Sequence, residues 1–107
     1  MTGTPRPFEV SVDDANGTTV VRVAGEVDME TAPRLERSLL QLVQSRTPLV
    51  TVDLAEIDFI DSTGLHAIVV AVQQLRANGS DLVLRSPTPS TARVLELSGL
   101  TSVVKVV

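Results

Sequence analysis

The chain has 107 residues, room for one domain around one core, and its 43% hydrophobic content excludes a disordered chain. A net charge of -4 argues against binding a phosphate backbone, which needs clustered Lys and Arg. With two aromatic residues and no cysteine there is no base-stacking platform, disulfide framework, zinc knuckle or thiol chemistry, so neither nucleic acid nor a metal or cofactor is expected.

Residues 1–7, "MTGTPRP", hold two prolines among small polar residues and read as a loose tail, leaving 8–107 as the domain. The N-terminus lacks the basic-then-apolar layout of a signal peptide. The longest apolar run, "AIVVAV" at 67–72, is far short of the ~20 residues that span a bilayer. No membrane role and a cytoplasmic location are therefore expected.

"FEVSV" (8–12) alternates apolar and polar residues with the period of a half-buried strand. "DDANGT" follows, and its Asn16-Gly17 is a strong hairpin signal. "TVVRVAG" (19–25) then pairs antiparallel with the first strand. Thr31 is placed to cap a helix with Pro33 in its first turn. Ala32, Leu35, Leu39, Leu42 and Val43 form the apolar face of that helix, which ends near Ser45. "PLVTVDL" (48–54) reads as a strand covered on both faces.

A second helix is predicted over 63–78, with Leu65, Ile68, Val69, Val72 and Leu75 inward and Gly79 as its stop. "SDLVLRS" (80–86) is a further strand. Thr88-Pro89 opens a third helix, Ser98-Gly99-Leu100 closes it, and "SVVKVV" (102–107) is the last strand. The order ββαβαβαβ implies an α/β fold: a mixed, mainly parallel sheet of roughly four to five strands flanked by helices.

Chemistry on such a sheet gathers where a strand's carboxyl end leads into a helix. "DFIDSTGLHAIV" (58–69) spans one such junction, with Asp61, Ser62, Thr63 and Gly64 at the turn. A nucleophile elbow, G-x-S-x-G, would need glycine where Ile60 stands. His66, the only histidine, lies one turn along the same helix, with no third group to orient it as a base. Intrinsic catalysis is not expected. Two readings of Ser62 remain. It caps the helix, accepting an N–H of the first turn. Alternatively it accepts a phosphate, which would meet free N–H groups and the positive end of the helix dipole. Beside Asp61 that phosphate would add about -1.5 to -2 charges and repel a docked partner.

"GEVD" (25–28), "DFIDSTGLHAIV" and "LELSGL" (95–100), in this order, resemble the STAS domain, and more narrowly the anti-sigma factor antagonists. The resemblance covers 8–107. It implies a bacterial partner-switching protein, not an enzyme. The unphosphorylated antagonist binds an anti-sigma factor that is also a serine kinase, and so frees a sigma factor. Phosphorylation ends the interaction, and a PP2C-type phosphatase resets it.

Carried onto this chain, the resemblance makes Ser62 the phosphorylation site. It implies a partner surface of Asp28, Asp61, Ser62, Thr63, Gly64, His66 and Val70, with Thr63 the less favoured acceptor. His66 departs from the glycine of many relatives; Ser62, His66 and Val70 share one helix face at four-residue steps. Arg34, Glu36, Arg37, Arg76 and Arg93 read as solvated helix faces. Asp53, Glu56 and Asp58 form an acidic approach to the site or a solvated edge. The competing reading is a STAS domain used without phosphorylation, as a signalling scaffold or a lipid-transport subunit.

Overall fold

The computed structural model describes residues 6–15 and 17–107. Strands β1 (Glu9–Ala15) and β2 (Thr18–Val27) pair antiparallel, with Ala15 opposite Thr18. Gly17 holds φ 77 in the turn, a left-handed conformation that suits glycine. Its predicted companion Asn16, like most of the predicted tail, lies outside the described residues.

Helix α1 (Ala32–Gln44), strand β3 (Leu49–Ile60), helix α2 (Ser62–Ala77) and strand β4 (Asp81–Arg85) follow. Helix α3 (Pro89–Leu97), a 3-10 turn (Leu100–Ser102) and strand β5 (Lys105–Val106) complete the chain. The sheet runs β1-β2-β3-β4-β5, parallel from β2 onward. The predicted element order is thus the observed one, with five strands.

Val21, Val52 and Leu84 are neighbours in register across β2, β3 and β4, and all three are fully buried. Leu35 and Leu39 of α1 join Ile68, Val72 and Leu75 of α2 in the same core cluster. Truncating one such leucine to alanine costs about 2–5 kcal/mol. Leu42, predicted inward, and likewise Leu65 and Val69, are only half-buried at the margin of this core.

Two strands depart from expectation. β3 does not end at Leu54 but continues to Ile60. Its pairing with β2 slips twice, between Arg22/Ala24 and between Gly25/Glu26, and each slip gives β3 one extra residue. The buried positions are therefore Leu54, Ile57 and Ile60, three apart, which period-two alternation does not describe. β5 is shorter than the predicted 102–107. Gly99, at φ 80, turns the chain into the 3-10 turn, where the N–H groups of Val103 and Val104 both donate to Leu100 O at 2.9 Å. Residues 100–104 are thus spent on burying Leu100 and Val104 rather than on the sheet.

Candidate functional site

Val27 and Ile60 are the last register pair of β2 and β3. The residues after them, Asp28 and Asp61, leave the sheet side by side, and Asp61 N donates to Val27 O at 3.1 Å. Each carboxylate then turns back onto its own chain. Asp28 Oδ1 accepts from Glu30 N at 3.0 Å and Thr31 N at 3.1 Å. Asp61 Oδ1 accepts from Thr63 N at 2.9 Å and Gly64 N at 3.3 Å. Adjacent strand ends therefore carry the same device: an aspartate holding the N–H groups two and three residues on.

This corrects the predicted Thr31 cap and removes the capping reading of Ser62. Thr31 makes no side-chain cap: its backbone is already helical (φ -98, ψ -26), whereas a capping residue needs extended geometry. Its hydroxyl instead donates to Glu26 O at 2.7 Å and accepts from Asp28 N at 2.9 Å, bracing the loop. Ser62 does not cap α2 either. Asp61 does, with extended φ -109 and ψ -172, and Ser62 is the first helical residue. The first-turn N–H groups of Thr63 and Gly64 are thus committed to Asp61, not free for a phosphate.

Among the described residues no hydrogen bond holds the exposed Ser62 hydroxyl, while the exposed Thr63 hydroxyl donates to Asp61 Oδ1. That bond, with the backbone N–H groups of Gly64 and Thr63, holds the Asp61 carboxyl below its usual range despite some desolvation. Asp61 is ionised at neutral pH.

Gly64 is buried, and its predicted place on the partner surface is next to the core. A Cβ there would lie 2.7 Å from Val27 Cγ1 and 2.8 Å from Ile60 Cγ1. The glycine lets α2 start directly against the strand ends. His66 is exposed one turn along, and Val70 is half-buried a further turn on.

Ser62, Thr63 and His66 form one wall of a cleft of about 410 Å³. The opposite wall is Met29, Ala32, Pro33 and Glu36, none of which the sequence pattern placed at the site. Met29 carried the one available signal: a large apolar residue in a loop, 76% exposed. Asp28 and Val70 do not line this cleft, although Asp28 fixes the loop that presents Met29.

The acidic approach is ion-paired. Arg85 bonds Asp53 at 2.8 Å, and Arg6 reaches Glu56 and Asp58, each at 3.3 Å. Burial pushes the Asp53 carboxyl up, but the Arg85 and Ala55 hydrogen bonds and nearby guanidinium charges hold it below its usual range. Arg76 pairs with Asp81 at 3.0 Å, and Arg34 lies 4.9 Å from the Phe8 ring centroid. Among the described residues no cluster of His, Cys, Asp or Glu is arranged to hold a metal, and no helix is long and apolar enough to cross a membrane.

Residues 9–107 match the STAS domain family. The anti-sigma-B factor antagonist of Listeria monocytogenes is 34% identical over 84 residues, which cover 78% of this chain and 74% of that one. The crystal structure of an anti-sigma factor antagonist from Mycobacterium paratuberculosis superposes with a TM-score of 0.87 at 30% identity, covering 98% of this chain and 89% of the other. The phosphorylated Bacillus cell fate determinant SpoIIAA shares the fold, with a TM-score of 0.71 at 20% identity over 94% of this chain and 91% of that one. The chain belongs to the STAS domain family, on the branch that holds the anti-sigma factor antagonists.

Proposed function

We propose that this protein is a cytoplasmic anti-sigma factor antagonist. Unphosphorylated, it binds an anti-sigma factor that is also a serine kinase, and so releases a sigma factor. Transfer of a phosphoryl group from ATP to Ser62 ends the complex, and a PP2C-type phosphatase restores it. The protein contributes a docking surface and an acceptor hydroxyl, and no catalytic group or cofactor.

The observation that carries this reading is the contrast between Ser62 and Thr63. Both are exposed, but Thr63 spends its hydroxyl on Asp61 while that of Ser62 is uncommitted among the described residues. A kinase reaching this turn therefore finds one available nucleophile. The new phosphate finds the Thr63 and Gly64 N–H groups taken and the Asp61 carboxylate beside it. Without those donors, the added charge of about -1.5 to -2 acts mainly on whatever occupies the cleft. SpoIIAA, solved in unphosphorylated and phosphorylated forms, is a precedent for the fold carrying the modification.

The test is phosphorylation by purified anti-sigma kinases from the genome that encodes this chain, with ATP and the site read by mass spectrometry. A single phosphate on Ser62, and loss of the complex once it is present, are expected. Phosphate on Thr63 alone, or a complex that survives stoichiometric modification of Ser62, would overturn the reading.

A further inference from the structure

The cleft beside Ser62 does not stop at Glu36. Pro33 and Glu36 also line a second cleft of about 450 Å³, which runs over the outer face of α1 past Leu40 to Gln44. The two share those residues and together make a shallow trough, whose far part is lined by α1 alone. Its near end is the Ser62–His66 wall, and its floor is a helix of thirteen residues, about 20 Å long at 1.5 Å per residue.

At the joint stands an unanswered charge. Glu36 is half-buried, yet makes no ion pair or hydrogen bond among the described residues. Asp28 and Asp61 are engaged by N–H groups, and Glu56 and Asp58 by Arg6. The Glu30 carboxylate, in the loop beside Met29, also makes no such bond among the described residues but is exposed, so Glu36 differs from it in being half-buried. Around Glu36 lie the apolar Met29, Ala32 and Pro33 and, facing them, the polar Ser62, Thr63 and His66. A half-buried carboxylate attracts a cation more strongly than one in open water. Arg37, the next residue of α1, carries the opposite charge.

We propose that this trough is the seat of an amphipathic helix of the anti-sigma kinase, with an Arg or Lys side chain on Glu36 and apolar side chains over Met29, Ala32 and Pro33. The proposal rests on the reading of Ser62 above and extends it: α1 supplies the specificity, and α2 supplies the switch. A helix is the fitting occupant because the trough follows a helix face, where ridges pack into grooves, and offers no strand edge to extend.

The test measures affinities by calorimetry for the unphosphorylated full chain and each purified anti-sigma kinase of the same genome. Wild type is compared with Glu36→Lys, Ser62→Asp and Glu96→Lys, the last an equal charge change at an exposed position on α3. Circular dichroism checks that each variant is folded. The expected result is one kinase whose affinity falls about tenfold or more for Glu36→Lys and less than about twofold for Glu96→Lys. If Ser62→Asp loses binding while Glu36→Lys keeps it, the trough assignment falls and the antagonist reading stands. Equal losses for the two lysine variants would assign the effect to overall charge and overturn the proposal. A wild-type dimer that Glu36→Lys dissolves would give the trough to a second copy and likewise overturn it. Wild type that binds no kinase would remove the antagonist reading, and the trough assignment with it.

Discussion

Asp28 and Asp61 are equivalent residues of adjacent strand-to-helix junctions, each bonding the N–H groups two and three positions ahead through Oδ1. Because Val27 and Ile60 are in register, the two turns form a single ledge at one end of the sheet. The first wall of the cleft follows from Asp28, which orders the loop carrying Met29. The second follows from Asp61, which starts α2 and sets out Ser62, Thr63 and His66.

Removing either carboxylate should therefore cost more than removing the serine between them and the partner. Asp28→Ala is expected to lose about 1 kcal/mol in urea denaturation. Asp61→Ala should lower the midpoint as well, and Ser62→Ala should leave it unchanged, because no hydrogen bond is lost. A midpoint for Ser62→Ala as low as that of Asp61→Ala would mean that the serine is the cap after all.

Gly64→Ala tests the close approach of α2 to the strands. Helix propensity alone favours alanine by up to ~1 kcal/mol. Contacts of 2.7 and 2.8 Å with buried Val27 and Ile60 oppose it, and relieving them is expected to cost about 1–3 kcal/mol. Net destabilisation in thermal or urea unfolding is the outcome expected. Net stabilisation would show that the two side chains move aside freely.

The acid side of the stability profile has a defined sign. Asp53 and Asp61 are both held below the ordinary aspartate range in the folded protein. Their contribution is fully present above the unfolded-chain pKa and fades as pH falls through the lower folded values. Arg85→Ala should raise the Asp53 pKa and move part of this loss to higher pH, measured by NMR titration of the side-chain carboxyl. An unmoved Asp53 titration would leave the Ala55 N–H and the Arg22 charge as the groups that matter.

Binding separates charge from shape. Ser62→Asp imports part of the phosphate's charge and is expected to weaken the anti-sigma complex, whereas Ser62→Ala should keep it and block the switch. His66→Ala removes part of the α2 wall of the cleft and should weaken the unphosphorylated complex modestly. Calorimetric affinities that are equal for the Ala, Asp and wild-type residues at 62 would remove the electrostatic account of the switch.

Element order, the hairpin and the third helix were legible because each is signalled locally. Thr88 caps α3 with an extended backbone (φ -64, ψ 162), as its place before Pro89 suggests. Thr31 carries the same signal and fails, because the loop had already turned helical at its position. That depends on Asp28, three residues earlier, and no propensity reports it. The bulges that carry β3 to Ile60 arise from pairing with β2, which is not written in β3 alone. Of the site, the α2 wall was readable from its motif. The α1 wall was not, because Glu36 meets Ser62 only through the packing of two helices.

Because the α2 cap belongs to Asp61, the residue offered for modification bears no share of keeping the helix wound. On the reading proposed for Ser62, a phosphate there would break none of the hydrogen bonds that start α2, so modification would rewrite the charge of the docking face while leaving the anchor of the helix in place.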